Sequence, residues 1–438
     1  MAALSLVAFT GAIAGPTAEA SDFDAEAGWD EFEELLRSHY AYLWRPGESA
    51  VKEQLARSRH LAQAAENEPE LRRLLHQTAL TFADPHLIVG PFDEQDHSII
   101  YTHADLRADH AAGRFEVVDV RAGSAAAKAG VRPGWQIVEI DGLSAGESAR
   151  LPFGPVLENP SPIQLSYGIT LAANGRRGKD RELVFRRADG STTRLALPSP
   201  SAQARMIASF PVLSVHRLGE NNRFAQIVIN NSLGNNQTIA AFDAALAQLG
   251  DADGIIVDLR NTPSGGNTDV ARSIIGHFLK QPEPYQVHTI PAVERALGVP
   301  RTFIEIASPR APLFDRPLVV LHGSWTGSMG EGLVIGLDAA AGAFTIGSDM
   351  GDLLGALWNF DLKVSGARLD MGAEQLFHPD GRPREDFVAD QPLPQADTGP
   401  DGSDPLLPEA IRKLEELAGQ RASGQPHRSA PAKSHERG

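Results

Sequence analysis

The stretch "HGSWTGSMGEG", His322 to Gly332, follows the apolar run "RPLVVL". Gly327 and Gly330 flank Ser328 and Met329, which allows a tight strand-to-helix turn at little steric cost. Two chemistries fit this spacing. Ser328 and Glu331 spell S-x-x-E, the pattern of a capping box at a helix start. The same serine is also placed as a nucleophile. A helix N-terminus offers free backbone N–H groups and the positive end of the dipole, and both stabilise the oxyanion of acyl transfer. The Met329 amide would be one such donor. Gly265 and Gly266 in "DLRNTPSGGN" pose a parallel choice. They are either a turn into a helix capped by Asn267 or Thr268, or a close backbone approach that supplies a second oxyanion N–H.

Bulk properties narrow the chemistry. The 438 residues suffice for two or three domains at roughly 150 residues each. A formal net charge of −16 argues against nucleic acid and anionic membrane surfaces as partners. With no cysteine, disulfides, thiolate metal sites and a Cys nucleophile are excluded. Near the N-terminus a short apolar stretch, Ala2 to Ala14, precedes Ala18-Glu19-Ala20, an A-x-A cleavage pattern. Residues 1–20 are therefore expected to be a signal peptide, and the protein to be exported, periplasmic or secreted. That apolar run is shorter than the about 20 residues of a spanning helix, and no other segment qualifies.

The elements that must position these residues fall into blocks. "WDEFEELLRSHYAYL" and "ELRRLLHQTALTF" space apolar residues as helices do, so 21–90 is expected to be a helical N-terminal domain. Residues 91–200 alternate short strand patterns with turns, including a hairpin at Asp189-Gly190. "LPFGPVLENPSPIQLSYGITLAANGRRG" interrupts them as a longer insertion. In 201–420 buried strands such as "GIIVDLR" and "RPLVVLHG" alternate with helices, which predicts an α/β fold with a mostly parallel sheet. "DPLLPEAIRKLEELAG" is a closing amphipathic helix, and 421–438 is expected to be a disordered tail.

Three motifs in this order resemble the C-terminal-processing peptidase and tricorn family of serine peptidases. They are the PDZ-like element Gly123 to Gly142, "GIIVDLRNTPSGGN", and "PLVVLHGSWTGSMGEGL". The resemblance covers most of the chain. It implies a ββα-spiral peptidase core of the ClpP/crotonase kind, a helical lead segment and an inserted PDZ-like β-rich domain. It implies a serine endopeptidase acting on extended polypeptide, with Ser328 as nucleophile, and with Met329 and either Gly265 or Gly266 forming the oxyanion hole. No metal or organic cofactor is implied. The PDZ-like domain would take a substrate C-terminus by strand addition to a sheet edge. Its usual Gly-Asp is Gly134-Trp135 here.

The base is also implied by the resemblance. The lysine branch has a Lys where "IGSDMGDLLG" carries Asp352, and Lys363 lies outside that motif, so a Ser–Lys dyad is disfavoured. The tricorn-like branch uses a His in the lead segment, and "LTFADPHL" supplies His86. His322 and His378 are competing histidines. Pro85 stands where that branch has a serine. The acid that orients the base is assigned to Glu385 in "PREDF", with Asp84 as the other candidate. Arg260 is expected to pair with a core carboxylate. Two other functions share this scaffold: a catalytically silent protein that binds peptides or apolar ligands, and crotonase-type acyl-CoA chemistry.

Overall fold

The computed structural model describes residues 23–97, 104–263 and 265–423. The expected signal peptide lies outside them, as does most of the expected tail. The tail's first two residues instead complete the closing helix, which runs Leu407–Ala422.

Two lead helices, Ala25–His39 and Glu68–Leu80, form where the apolar spacing predicts, and a further helix, Glu48–Ala62, lies between them. Asp24 and Asn67 cap the first and third by accepting the N–H of Ala27 and Glu70, both at 3.0 Å. The helices do not form a core of their own. Trp29, Phe32, Leu36 and Leu75 pack with Leu362, Leu369 and Met371 from strands far along the chain. Ile88–Gly90 adds directly to that sheet, antiparallel to 368–370. The segment just after His86 is thereby fixed to the body of the protein.

The core sheet is ordered Gln391–Pro392, Phe344–Gly347, Leu318–His322, Gly254–Asp258, Phe224–Ile229, Leu213–Leu218. All its pairings are parallel except the last. Ile255, Ile256 and Val257 are fully buried, as are Val319, Val320 and Leu321. Such runs belong to strands covered on both faces. A further, antiparallel sheet joins Ile88–Gly90, Ala367–Phe377, Glu283–Thr289 and Thr302–Ala307, with Ala356–Leu362 beside the second of these. The chain is thus mixed α/β with several sheets.

The β-rich domain is a sheet ordered Leu106–Ala111, Arg114–Val120, Gln136–Ile140, Arg181–Arg186, Thr192–Leu197. The hairpin forms at Asp189-Gly190, with Gly190 at φ +82°. The long insertion is mostly helical: a 3₁₀ segment at Leu151–Val156, then the α-helix Pro162–Asn174. Its start was legible as Ser161-Pro162-Ile163-Gln164, a capping box with proline in the first turn.

This helix closes one edge of its own sheet. Ser166, Thr170 and Asn174 recur every four residues, an advance of about 6 Å. Strand residues advance about 6.7 Å per two, so His110, Ala108 and Leu106 meet them in turn. Ser166 Oγ accepts the His110 N–H (3.0 Å) and Thr170 Oγ1 accepts that of Ala108 (3.1 Å). Thr170 Oγ1 also donates to the Ala108 carbonyl (2.8 Å). Asn174 Oδ1 accepts from Asp105 (2.8 Å) and Leu106 (3.2 Å), and its Nδ2 donates to the Leu106 carbonyl (2.7 Å). The backbone groups that an added peptide strand would use are taken. The expected strand addition therefore finds no free edge at Leu106–Ala111. The edge Thr192–Leu197 pairs only with Arg181–Arg186 among the described residues.

Candidate active site

The loops after Asp258, His322 and Gly347 all leave the carboxyl ends of neighbouring parallel strands, where open α/β sheets place their sites. They are locked together by backbone contacts. Gly327 N–H donates to Thr262 O (2.9 Å) and Gly351 N–H to Thr326 O (2.8 Å). Thr326 Oγ1 donates to Leu259 O (3.0 Å).

Ser328 stands immediately before the helix Met329–Ala341, at φ +54° and ψ −118°. Only a constrained turn holds a non-glycine residue there, at a cost of about 1–3 kcal/mol. Ser328 and Glu331 do stand in the capping-box relation. Glu331 Oε2 accepts the Ser328 N–H (2.9 Å), and the Glu331 N–H in turn donates to the Ser328 carbonyl (3.1 Å). Ser328 is half-buried.

Of the two glycines, Gly265 lies against Met329. A Cβ on Gly265 would fall 2.2 Å from Met329 N, and one on Gly266 would instead meet Gly234 Cα at 2.8 Å. The Met329 N–H, in the first turn of the helix, donates to no described residue. Asn267 caps the next helix, Thr268–Gly276, by accepting the Asp269 N–H (2.8 Å). The turn-into-helix reading of "SGGN" thus holds at Asn267, and Gly265 packs its backbone against Met329.

His86 is 4 % exposed. Its Nδ1 lies 3.1 Å from the Leu354 carbonyl. A carbonyl only accepts, so Nδ1 carries the proton and Nε2 keeps its lone pair. That is the tautomer a base requires. Burial and the Arg384 guanidinium lower the imidazole pKa to about 4, against the pull of the Leu354 and Gly355 carbonyls. Asp84 serves the main chain instead of the ring. It accepts the N–H of His86 (2.8 Å) and Leu354 (3.4 Å) and the Tyr40 hydroxyl (2.8 Å).

Glu385 is the acid expected to orient the base. It makes no hydrogen bond to His86 among the described residues. It lines a cleft of about 400 Å³ together with Tyr42, Trp44, Arg45, Gln375 and Asp386. The 3₁₀ turn Arg384–Asp386 sends consecutive side chains in different directions, and Arg384 is the one that enters the site. Of the two rival histidines, His378 is the one held by side-chain partners. His378 pairs with Asp380 through Nδ1 (2.8 Å) and with Asp338 through Nε2 (3.1 Å). His322 is 1 % exposed, stacks edge-on against Phe387, and neither ring nitrogen has a hydrogen-bond partner. Arg260 pairs with Asp258 (2.7 Å) and Asp404 (2.8 Å), as its expected structural role requires.

One segment links Ser328 and His86. Leu353 N–H donates to Glu331 Oε1 (3.4 Å), and the next residue offers its carbonyl to His86. No group of three or more His, Asp or Glu side chains able to hold a metal occurs among the described residues, and no helix among them is long and apolar enough to cross a membrane.

Comparison with known proteins agrees with this architecture. Residues 223–389, which contain Ser328, Gly265 and Arg384, match the family described as peptidase family S41. No curated protein matches the sequence. Among solved structures, mature CPAF complexed with lactacystin superposes with a TM-score of 0.59 at 14% identity, over 92% of this chain and 99% of that one. The photosystem II D1 C-terminal processing protease superposes with a TM-score of 0.55 at 15% identity, over 91% of this chain and 98% of that one. At these identities the likeness is one of fold.

Proposed function

Residues 223–389 match the model of peptidase family S41, and from that match we propose that the chain is a serine-type peptidase that cleaves extended polypeptide through an acyl-enzyme. The observation that carries the assignment is the nucleophile turn: a serine held at φ +54°, followed by the Met329 N–H with Gly265 pressed against it. His86 Nε2 takes the Ser328 proton as Oγ attacks the substrate carbonyl. The Met329 N–H and the Gly265 backbone stabilise the oxyanion. The imidazolium returns its proton to the leaving amine, and water then releases the acyl group by the same route.

Gly265→Ala tests the oxyanion assignment. The added methyl would sit 2.2 Å from Met329 N, so the turn must open. The expected loss is about 10²–10³-fold in kcat, with little change in KM for a short peptide. An unchanged kcat would remove Gly265 from the site.

In this reading the core is a ββα spiral and the β-rich domain is PDZ-like. The motif Gly123 to Gly142 supports the latter by spanning the helix Ala125–Lys128 and the strand Gln136–Ile140. Because the helix Pro162–Asn174 fills the Leu106–Ala111 edge, capture of a substrate C-terminus by strand addition is assigned to Thr192–Leu197. A peptide with a free C-terminus and a photo-crosslinker should label 192–197. Labelling confined to 106–111 would reject that assignment.

A further inference from the structure

Arg384 is 4 % exposed and bridges two segments, 328–331 and 353. Its Nη1 donates to the carbonyl of Ser328 itself (3.2 Å). Its Nη2 donates to the Leu353 carbonyl and pairs with Glu331 Oε2 (3.1 Å). Glu331 in turn accepts the N–H groups of Ser328 (2.9 Å) and Leu353 (3.4 Å). The residue after Leu353 carries the carbonyl that orients the His86 ring. An unbroken path of polar contacts thus runs from the nucleophile's own peptide group, through one guanidinium, to the segment that sets the base.

We infer that Arg384 is a positioning residue for the Ser328–His86 pair, a planar clamp that fixes the strained nucleophile turn and the base-orienting carbonyl of Leu354 in one register. The inference rests on the peptidase reading of the site. It follows from what the two sides need. Ser328 sits in a backbone conformation that persists only where its surroundings over-determine it. Among the described residues no carboxylate bonds the imidazole, so its orientation depends on where the 353–354 backbone lies. Arginine suits the task because its forked donors reach two carbonyls and a carboxylate in fixed geometry, which an ammonium does not reproduce. A buried Arg–Glu pair by itself contributes little net stability, so the contacts to Ser328 O and Leu353 O are what distinguish this side chain from a structural filler.

The clamp leaves a signature on the base. The charged and titratable groups about His86 are Arg384, which disfavours the imidazolium, and Asp84 with its partner Tyr40, which engage the backbone amide and not the ring. Removing the guanidinium should therefore raise the His86 pKa, and replacing it with another cation should not.

The experiment uses the full chain with Arg384→Lys and Arg384→Ala. Three quantities are measured: the second-order rate of fluorophosphonate labelling at Ser328 across pH, the His86 pKa by ¹⁵N-histidine NMR, and the thermal midpoint. For Arg384→Lys we expect labelling slowed by about 10²-fold, the loss attached to small misplacement of reacting groups, with the His86 pKa unchanged. For Arg384→Ala we expect at least that loss, a His86 pKa raised by about one unit or more, and partial recovery of the rate with guanidinium at a non-denaturing concentration. Folded Arg384→Ala that labels at the wild-type rate with an unshifted His86 pKa would overturn the proposal. Should Arg384→Ala not fold, Arg384→Lys decides: a wild-type labelling rate overturns the clamp. The NMR readout keeps the two proposals apart. Wild-type protein that never labels at Ser328 defeats the peptidase reading, and the His86 shift on removing Arg384 is then read independently of turnover.

Discussion

Ser328→Ala is expected to lower peptide hydrolysis by about 10⁶-fold, the scale seen when a serine nucleophile is removed, with the thermal midpoint almost unmoved. The two halves of that result come from one geometry. The Glu331 N–H that the hydroxyl could cap is already bonded to the Ser328 carbonyl (3.1 Å), so deleting the hydroxyl leaves no helix donor unsatisfied. The true cap is Glu331, whose carboxylate accepts the Ser328 N–H and is untouched by the change. If Ser328 were a capping residue, alanine would cost about 1 kcal/mol and spare activity. Ser328→Gly sharpens the contrast. It too abolishes hydrolysis, but it relieves a positive φ and should raise stability by about 1 kcal/mol. A peptidase rendered inactive and more stable by one substitution carries its strain at the nucleophile. Hydrolysis of an unfolded protein substrate and calorimetry, run on the same three proteins, check both halves.

His86→Gln carries the second large effect, an expected loss of about 10⁴-fold or more in kcat/KM, since the serine then has no proton acceptor. The pH profile of the wild-type enzyme tests the same group without mutation. An ordinary histidine base is lost on acidification near pH 6.5. Burial and Arg384 bring His86 to about 4, so the imidazole stays neutral down to that region. The sign follows directly: the neutral form is the base, a lowered pKa extends the neutral range toward acid, and the acidic limb of kcat/KM should fall near pH 4. A limb near pH 6.5 would mean that the active base is not the buried, carbonyl-held ring described here. The cost of this arrangement is a weak base, since proton transfer to a group of low pKa has little driving force. Modest turnover on unactivated peptide bonds is the corresponding expectation.

Much of this site was legible in the chain because close backbone approach requires glycine. "SGG" and "GSMG" announce two turns that must touch, and Gly265 does abut Met329. The central strands were legible as short, continuously apolar runs, and the lead helices as apolar spacing with Asp24 and Asn67 at their starts. Other elements carried a signal that was passed over. Ala356–Leu362 alternates partly buried with exposed residues up to a buried Leu362, the period of a half-covered strand. Ser161 and Gln164 marked the helix that closes the sheet edge.

The orienting group was not legible at all. Glu385 and Arg384 are neighbours, and which of them enters the site is set by the exit angle of a three-residue 3₁₀ turn after Pro383. Local pattern does not encode that angle. Nor does it encode that a backbone carbonyl 268 residues away would steer His86 in place of a carboxylate. Residue type led toward the acid because acids commonly orient a catalytic histidine. The fold supplies a carbonyl instead, with a cation behind it.

The central claim is that Ser328 is a nucleophile served by His86. Incubation of the folded protein with a fluorophosphonate, followed by peptide mass mapping, tests it most directly. The account predicts one adduct, on Ser328, formed at a rate that is retained down to about pH 5 and collapses in His86→Gln. An unmodified Ser328 in folded protein, or labelling indifferent to the loss of His86, would contradict it.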